Sequence, residues 1–295
     1  MRSVHPTRPG TTVDPATGEW VPSNFEDFLI ELNHLARSVG KGSLLLYRGH
    51  SNRQWRLDST FVREVKRALF AMSPLAGFPE EFRASGDLNL SLTGLLLLKF
   101  SVLVRPSAEL LAVEREHGVD AWFELMKRCQ QYAHEDHPDF KGTPLLDWST
   151  NPDVAVYFAN EKRSGAGAVF VCDATATGRT LQVLPVVEIL SMIRAQVLRG
   201  LANGLPLLFV PKKQIANQRP KNQAAFYFAQ LELRLDLQEQ WRLLEANQPN
   251  DTILVKLLLP AGSESECGNY LEGRGISASF IYPDVQASAP PSSEA

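Results

Sequence analysis

Apolar residues at Phe25, Phe28, Leu29, Leu32, Leu35 and Ala36 recur at the three-and-four spacing of one helical face. Ser23 with Glu26 three residues on makes a capping box, so the spacing predicts a helix there that Gly40 closes. Residues 43–47 form a short apolar run, read as a buried strand that delivers Arg48 and Gly49 at its end, where glycine allows a close backbone approach or a positive φ. From Thr60 to Tyr132 the period becomes helical, with helices expected near 60–70, 88–104, 107–116 and 119–133 between Pro and Gly breaks. This block, about residues 60–133, reads as an α-helical insertion. Asn151 and Pro152 then supply an N-cap and a first-turn proline for a helix whose inward positions are Val154, Ala155 and Phe158. Strands are predicted at 167–173, 205–210, 226–235 and 252–259, a helix at 186–201, another near 264–273, and a last strand at 277–282. Strands and helices are interspersed without a strict βα repeat, and no GxGxxG follows a strand. The pattern predicts a mixed α+β fold and argues against a doubly wound nucleotide fold.

Composition adds limits. With 295 residues, 44% hydrophobic and 21% charged, the chain can bury a full core in one large domain or two small ones. A net charge of −3 gives no global drive toward nucleic acid or anionic membrane, so such a partner must be met by a local patch. Cys129, Cys172 and Cys267 are odd in number and far apart, which fits neither a disulfide framework nor a zinc knuckle and points to a reducing cytoplasm. Residues 1–22 carry no apolar leader and read as a loosely ordered arm. The apolar stretch 88–104 is broken by Asn89, Thr93, Lys99 and Ser101 and is too short and polar to span a bilayer. Residues 286–295 are low-complexity and expected to be disordered, leaving one domain over 23–285.

Four segments hold candidate chemistry. Arg48 projects from a buried strand and needs a partner: an internal carboxylate such as Asp147, or a bound phosphate or carboxylate held by its planar guanidinium. The run Asp147-Trp148-Ser149-Thr150-Asn151-Pro152 combines a helix start, two hydroxyls and an indole, which suits an anion, a ribose and a stacked ring, or else a plain cap beside a buried Trp. Lys212, Lys213, Arg219 and Lys221 precede Gln223 and form either a phosphate-holding loop or a solvated one. His134 and His137 lack the HExxH spacing, so no metal is expected, and no nucleophile motif surrounds any cysteine.

Together these residues resemble the FRG domain family, named for an aromatic-Arg-Gly motif. Tyr47-Arg48-Gly49-His50-Ser51-Asn52 with Trp55 and Leu57 fits its opening motif. Leu145 to Pro152 with Ala155, Phe158 and Ala159 fits the central one. Arg219 with Gln223 is similar to its third element, and residues 275–284 to its C-terminal strand, so the resemblance runs from about residue 23 to 285. There are departures: Gln130-Gln131-Tyr132 is followed by a longer 134–141 segment, Thr143-Pro144 lacks the family's arginine, and the glycine after Gln223 is replaced by Ala224 or Ala225.

The motif order resembles that of ADP-ribosyltransferases, which implies a mixed, mostly antiparallel sheet and NAD as substrate. By that likeness Arg48, Ser149 and Gln223 form the catalytic set, with Glu232 a less favoured third position. Tyr47, Gly49, His50, Trp148, Thr150, Asn151 and Arg219 surround the nucleotide, with Tyr47 or Trp148 stacking. Transfer through an oxocarbenium-like ribose needs mainly positioning and electrostatics, and a glutamine could hold the ribose without acting as a base. The resemblance implies a bacterial or phage toxin or defence effector with a nucleic-acid or protein acceptor and an antitoxin or inhibitor partner. Two alternatives stand beside it: a non-catalytic nucleotide- or partner-sensing module, and a nucleic-acid-processing protein that depends on the 212–221 loop.

Overall fold

The computed structural model describes residues 1, 4–40, 42–71, 143, 145–176, 180–181, 207–209, 218–230, 235–247 and 252–283. The helices expected at 88–104, 107–116, 119–133 and 186–201 lie outside these residues, as do Cys129, His134, His137, Lys212, Lys213, Glu232 and the tail. The described part is an α+β fold built on one open sheet.

Nine strands make the sheet: β1 (Thr11–Val13), β2 (Trp20–Pro22), β3 (Leu45–His50), β4 (Leu145–Ser149), β5 (Gly167–Asp173), β6 (Thr180–Leu181), β7 (Leu207–Phe209), β8 (Ala225–Ala229) and β9 (Leu254–Leu259). Their order is β1-β2-β9-β5-β3-β4-β8-β7-β6. The β2–β9 and β6–β7 pairs are parallel and the remaining pairs antiparallel. Among the described residues, seven helices accompany it: α1 (Phe25–Arg37), α2 (Thr60–Ala71), α3 (Pro152–Asn160), α4 (Gln218–Asn222), α5 (Leu237–Asn247), α6 (Glu264–Gly273) and α7 (Ala278–Ile281).

Strand β5 lies inside the sheet, paired over six positions with both β3 and β9. Val169 and Val171 pack with α1, α3 and α6 on one face, whereas Ala168, Phe170 and Cys172 pack with Trp148, Phe228 and Trp241 on the other. Both faces are covered, so β5 reads as a continuous apolar run without alternation. Apolar burial on this scale, roughly 25 cal/mol per Å² removed from water, supplies the main drive for the fold.

Several expectations need correction. Asn24, not Ser23, caps α1: its side chain accepts from the Asp27 amide at 2.8 Å, while the Ser23 hydroxyl donates to the Asp27 carboxylate at 2.7 Å. Ser38, not Gly40, closes the helix. The arm expected over residues 1–22 instead joins the sheet as β1 and β2. Trp20 is buried, and Glu31 of α1 accepts the backbone amides of Thr7 and Arg8, so packing and charge hold a segment that has little apolar periodicity.

The first site strand runs to His50, which places Arg48 inside it and not at its end. Helix α5 was unexpected. Its signal is a capping box in which Asp236 and Glu239 exchange side-chain-to-backbone bonds at 2.9 and 2.8 Å. The strand expected at 277–282 is the short helix α7, capped by Ser277 onto the Phe280 amide, and the alternation of Ile276, Ala278 and Phe280 only imitates a strand. No helix among the described residues is long and apolar enough to cross a membrane.

Candidate functional site

Strands β3 and β4 meet at a single register position, Tyr47 opposite Ser149, although each is fully paired on its other side. From there the two strands part, and the gap between them is a cleft of about 160 Å³. Tyr47, Arg48 and Gly49 line it from β3, Asp147, Trp148 and Ser149 from β4, and Val154, Ala155 and Phe158 from α3. Arg219 and Gln223 complete it from the α4–β8 connection.

Helix α3 is seated by two glycines. A Cβ on Gly49 would lie 1.8 Å from the Ala155 carbonyl oxygen, and one on Gly167 2.5 Å from that of Ala159. The helix therefore rests directly on the backbone of β3 and β5, with Ala155 and Ala159 as its contact residues, and this brings its first turn to the cleft. The close approach offered by glycine at this strand is realised. The helix end itself is not an open anion site: Pro152 has no amide hydrogen, the Asn151 side chain takes the Asp153 amide at 2.9 Å, and Asp153 places an acid in the first turn.

Arg48 crosses the gap. Its Nη1 donates to the Asp147 carbonyl oxygen at 2.5 Å, and its Nε donates to Nε2 of His50 at 3.0 Å. Both acceptors are neutral, and among the described residues these bonds leave Nη2 unspent. Burial lowers the Arg48 pKa to about 10; the Asp147 carboxylate opposes that shift, and the charge of Arg63 adds to it. The group remains a cation at neutral pH, only partly compensated, so an incoming anion is favoured.

His50 is buried against Phe170 and Trp55, and burial together with the charge of Arg48 holds its pKa well below the usual histidine value. It stays neutral and offers Nε2 as an acceptor. His50 therefore orients Arg48 and does not line the cleft. Burial also raises the Tyr47 phenol to about 12, which keeps it protonated.

The other expected site residues divide. The Ser149 hydroxyl donates to the Gln223 carbonyl oxygen at 2.6 Å and accepts the Asn151 amide at 2.9 Å, so it pins β4 to the α4–β8 connection. Gln223 lines the cleft, with its side-chain amide donating to the Ile281 carbonyl oxygen at 3.2 Å. Arg219 lies over the Tyr282 ring, 4.8 Å from its centroid. Ala224 has φ 44°, so it is Ala224, and not Ala225, that occupies a left-handed position where glycine is favoured.

Thr150 and Asn151 fall outside the lining. The Thr150 amide bonds the Ala224 carbonyl oxygen at 3.2 Å and Asn151 caps α3. Trp148 is only 2% exposed, set edge-to-face with Phe228 and Trp241, so it has no open face for a stacked ring. Sequence reasoning offered Asp147 as a structural partner for Arg48 and left it out of the catalytic and binding set; exposed between buried Leu146 and Trp148, it carries the only carboxylate among the described lining residues. Its signal is the polar residue interrupting an apolar strand.

The FRG domain model matches residues 43–167, so the chain carries an FRG domain. That span includes Tyr47, Arg48, Gly49, Asp147, Ser149 and the whole of α3, and it stops short of Arg219 and Gln223. No curated protein and no solved structure matches the chain.

Proposed function

We propose, from the premise that this is an FRG-domain protein with a cleft built around Arg48, that the cleft binds NAD and that the protein is an ADP-ribosyltransferase-like enzyme. The observation that carries this reading is the Arg48 guanidinium, half-buried, held by two neutral acceptors and still offering donors toward the gap between β3 and β4. Such a fork suits a pyrophosphate. A volume of about 160 Å³ suits one ring and its ribose, so the rest of a dinucleotide would extend beyond the cleft.

NAD supplies a glycosidic bond whose cleavage releases nicotinamide. The protein's part is positioning and charge. Arg48 holds the phosphates, the protonated Tyr47 phenol stands opposite Ser149 at the closed end, and Asp147 supplies negative charge where positive charge develops on the ribose. Gln223 can donate and accept hydrogen bonds there and cannot serve as a base. The acceptor proposed is nucleic acid or protein, in a toxin or phage-defence setting with a restraining partner protein.

A second reading, nucleotide sensing without turnover, is favoured by the commitment of the Ser149 hydroxyl and the Gln223 amide to backbone carbonyls. One experiment separates the two: a thermal-shift titration with NAD, with free nicotinamide measured in the same samples and Arg48→Ala as control. Stabilisation with nicotinamide release, both lost in the variant, supports the enzyme, since a ligand of the folded state raises the melting temperature. Stabilisation without release supports sensing. No shift at millimolar NAD overturns both.

A further inference from the structure

Trp55 is an exposed tryptophan, 53% accessible, whereas Trp20, Trp148 and Trp241 are at most 4% exposed. An exposed indole on a mobile loop would mean little, but this one is fixed from both sides. On its N-terminal side, Arg53 bonds the Glu19 carboxylate at 2.6 Å, its carbonyl accepts from the buried Lys256 at 2.6 Å, and its amide bonds the Ala166 carbonyl oxygen. On its C-terminal side, Arg56 pairs with Asp236 at 2.8 Å and with Glu239 at 2.5 Å, and Leu57 is fully buried. The turn between is closed by Asn52, which accepts the Gln54 amide through its side chain and the Trp55 amide through its carbonyl.

The indole meets the His50 ring edge-to-face with centroids 6.0 Å apart, and Nε2 of that imidazole accepts the Arg48 Nε. Arg48 and His50 alternate with Tyr47 and Gly49 along β3, so both point to the same side of the strand. One imidazole thus separates a rigid aromatic surface from a cation with unspent donors, and Arg63 adds positive charge felt by both Arg48 and His50. Trp148 is buried and offers no open face, whereas Trp55 presents an exposed indole that lies outside the cleft lining and reaches Arg48 through His50.

We propose that Trp55 is the base-stacking platform of this site, taking the purine ring of a nucleotide whose phosphates are held by Arg48. The proposal rests on reading the Arg48 cleft as an anion site. A pre-positioned indole loses little freedom on binding, and stacking of one base is worth enough to shift affinity about tenfold.

The test is binding of ADP and of ribose 5-phosphate to the full chain, by calorimetry and by tryptophan fluorescence, for wild type, Trp55→Ala and Trp55→Phe. ADP is expected to quench wild-type fluorescence and ribose 5-phosphate is not. Trp55→Ala is expected to weaken ADP about tenfold and to leave ribose 5-phosphate unchanged, which also shows that the cleft is intact, and Trp55→Phe is expected to recover most of the loss. Equal ADP affinity in wild type and Trp55→Ala overturns the platform while leaving the anion site standing. Failure of wild type to bind either ligand overturns the anion site and the platform with it.

Discussion

Arg48 and His50 are joined through their Nε and Nε2 atoms at 3.0 Å, a bond that requires the imidazole to be neutral. Two residues apart on one strand, they form a cation and the acceptor that aims it. Burial and the arginine's charge together hold the histidine neutral.

A pH dependence follows. The histidine pKa is lowered on folding, so below the ordinary value near 6.5 the unfolded chain binds a proton that the folded chain refuses. His50 therefore contributes stability above that value that is lost as pH falls through it. The melting temperature of wild type is expected to drop between about pH 6.5 and 5 relative to His50→Gln, which keeps an acceptor without the titration. Identical profiles for the two proteins would rule out His50 as the source.

Asp147 and any bound phosphate compete for the same guanidinium. Replacing Asp147 by Asn removes negative charge from the cleft while sparing the backbone carbonyl that Arg48 bonds. NAD affinity is expected to rise severalfold, and nicotinamide release to fall by on the order of a hundredfold or more. A variant that binds more weakly and turns over normally would remove the carboxylate from the proposed chemistry.

Gly49→Ala should be among the most damaging single substitutions on β3. The new methyl would meet the Ala155 carbonyl oxygen at 1.8 Å and push α3 off the sheet, costing about 3 kcal/mol or more in chemical denaturation. Gly165→Ala, where nothing lies within 4 Å, is the control and should shift the midpoint little.

Ala224 sits in the left-handed region between Gln223 and β8. Ala224→Gly is expected to stabilise the chain by up to about 1 kcal/mol, because relief of the Cβ clash exceeds the added freedom of the unfolded state. A lower denaturation midpoint in the variant would show that other contacts set this backbone conformation.

The amino-acid sequence by itself determined the local elements whose signals are local. The period of α1, the Asn151-Pro152 start of α3, the apolar run of β5 and the 264–273 helix are all encoded within one or two turns of chain. It also marked Tyr47, Arg48, Gly49, Ser149, Arg219 and Gln223, which the fold brings to one cleft. Capping slipped by one residue at α1 because Ser23 and Asn24 are adjacent residues of capping type and the Ser23 hydroxyl is spent on the Asp27 carboxylate, and an alternating pattern over four residues could not separate α7 from a strand.

What only the tertiary structure decided is which of these side chains face the cleft. Whether Trp148 or Trp55 is covered depends on Phe228 and Trp241, far along the chain, and on the salt bridges that hold the Trp55 turn. The parting of β3 from β4, which makes the cleft and exposes Asp147, depends on strand register and on the seating of α3 over Gly49 and Gly167. Register and burial are set by contacts between distant segments, and no local pattern contains them.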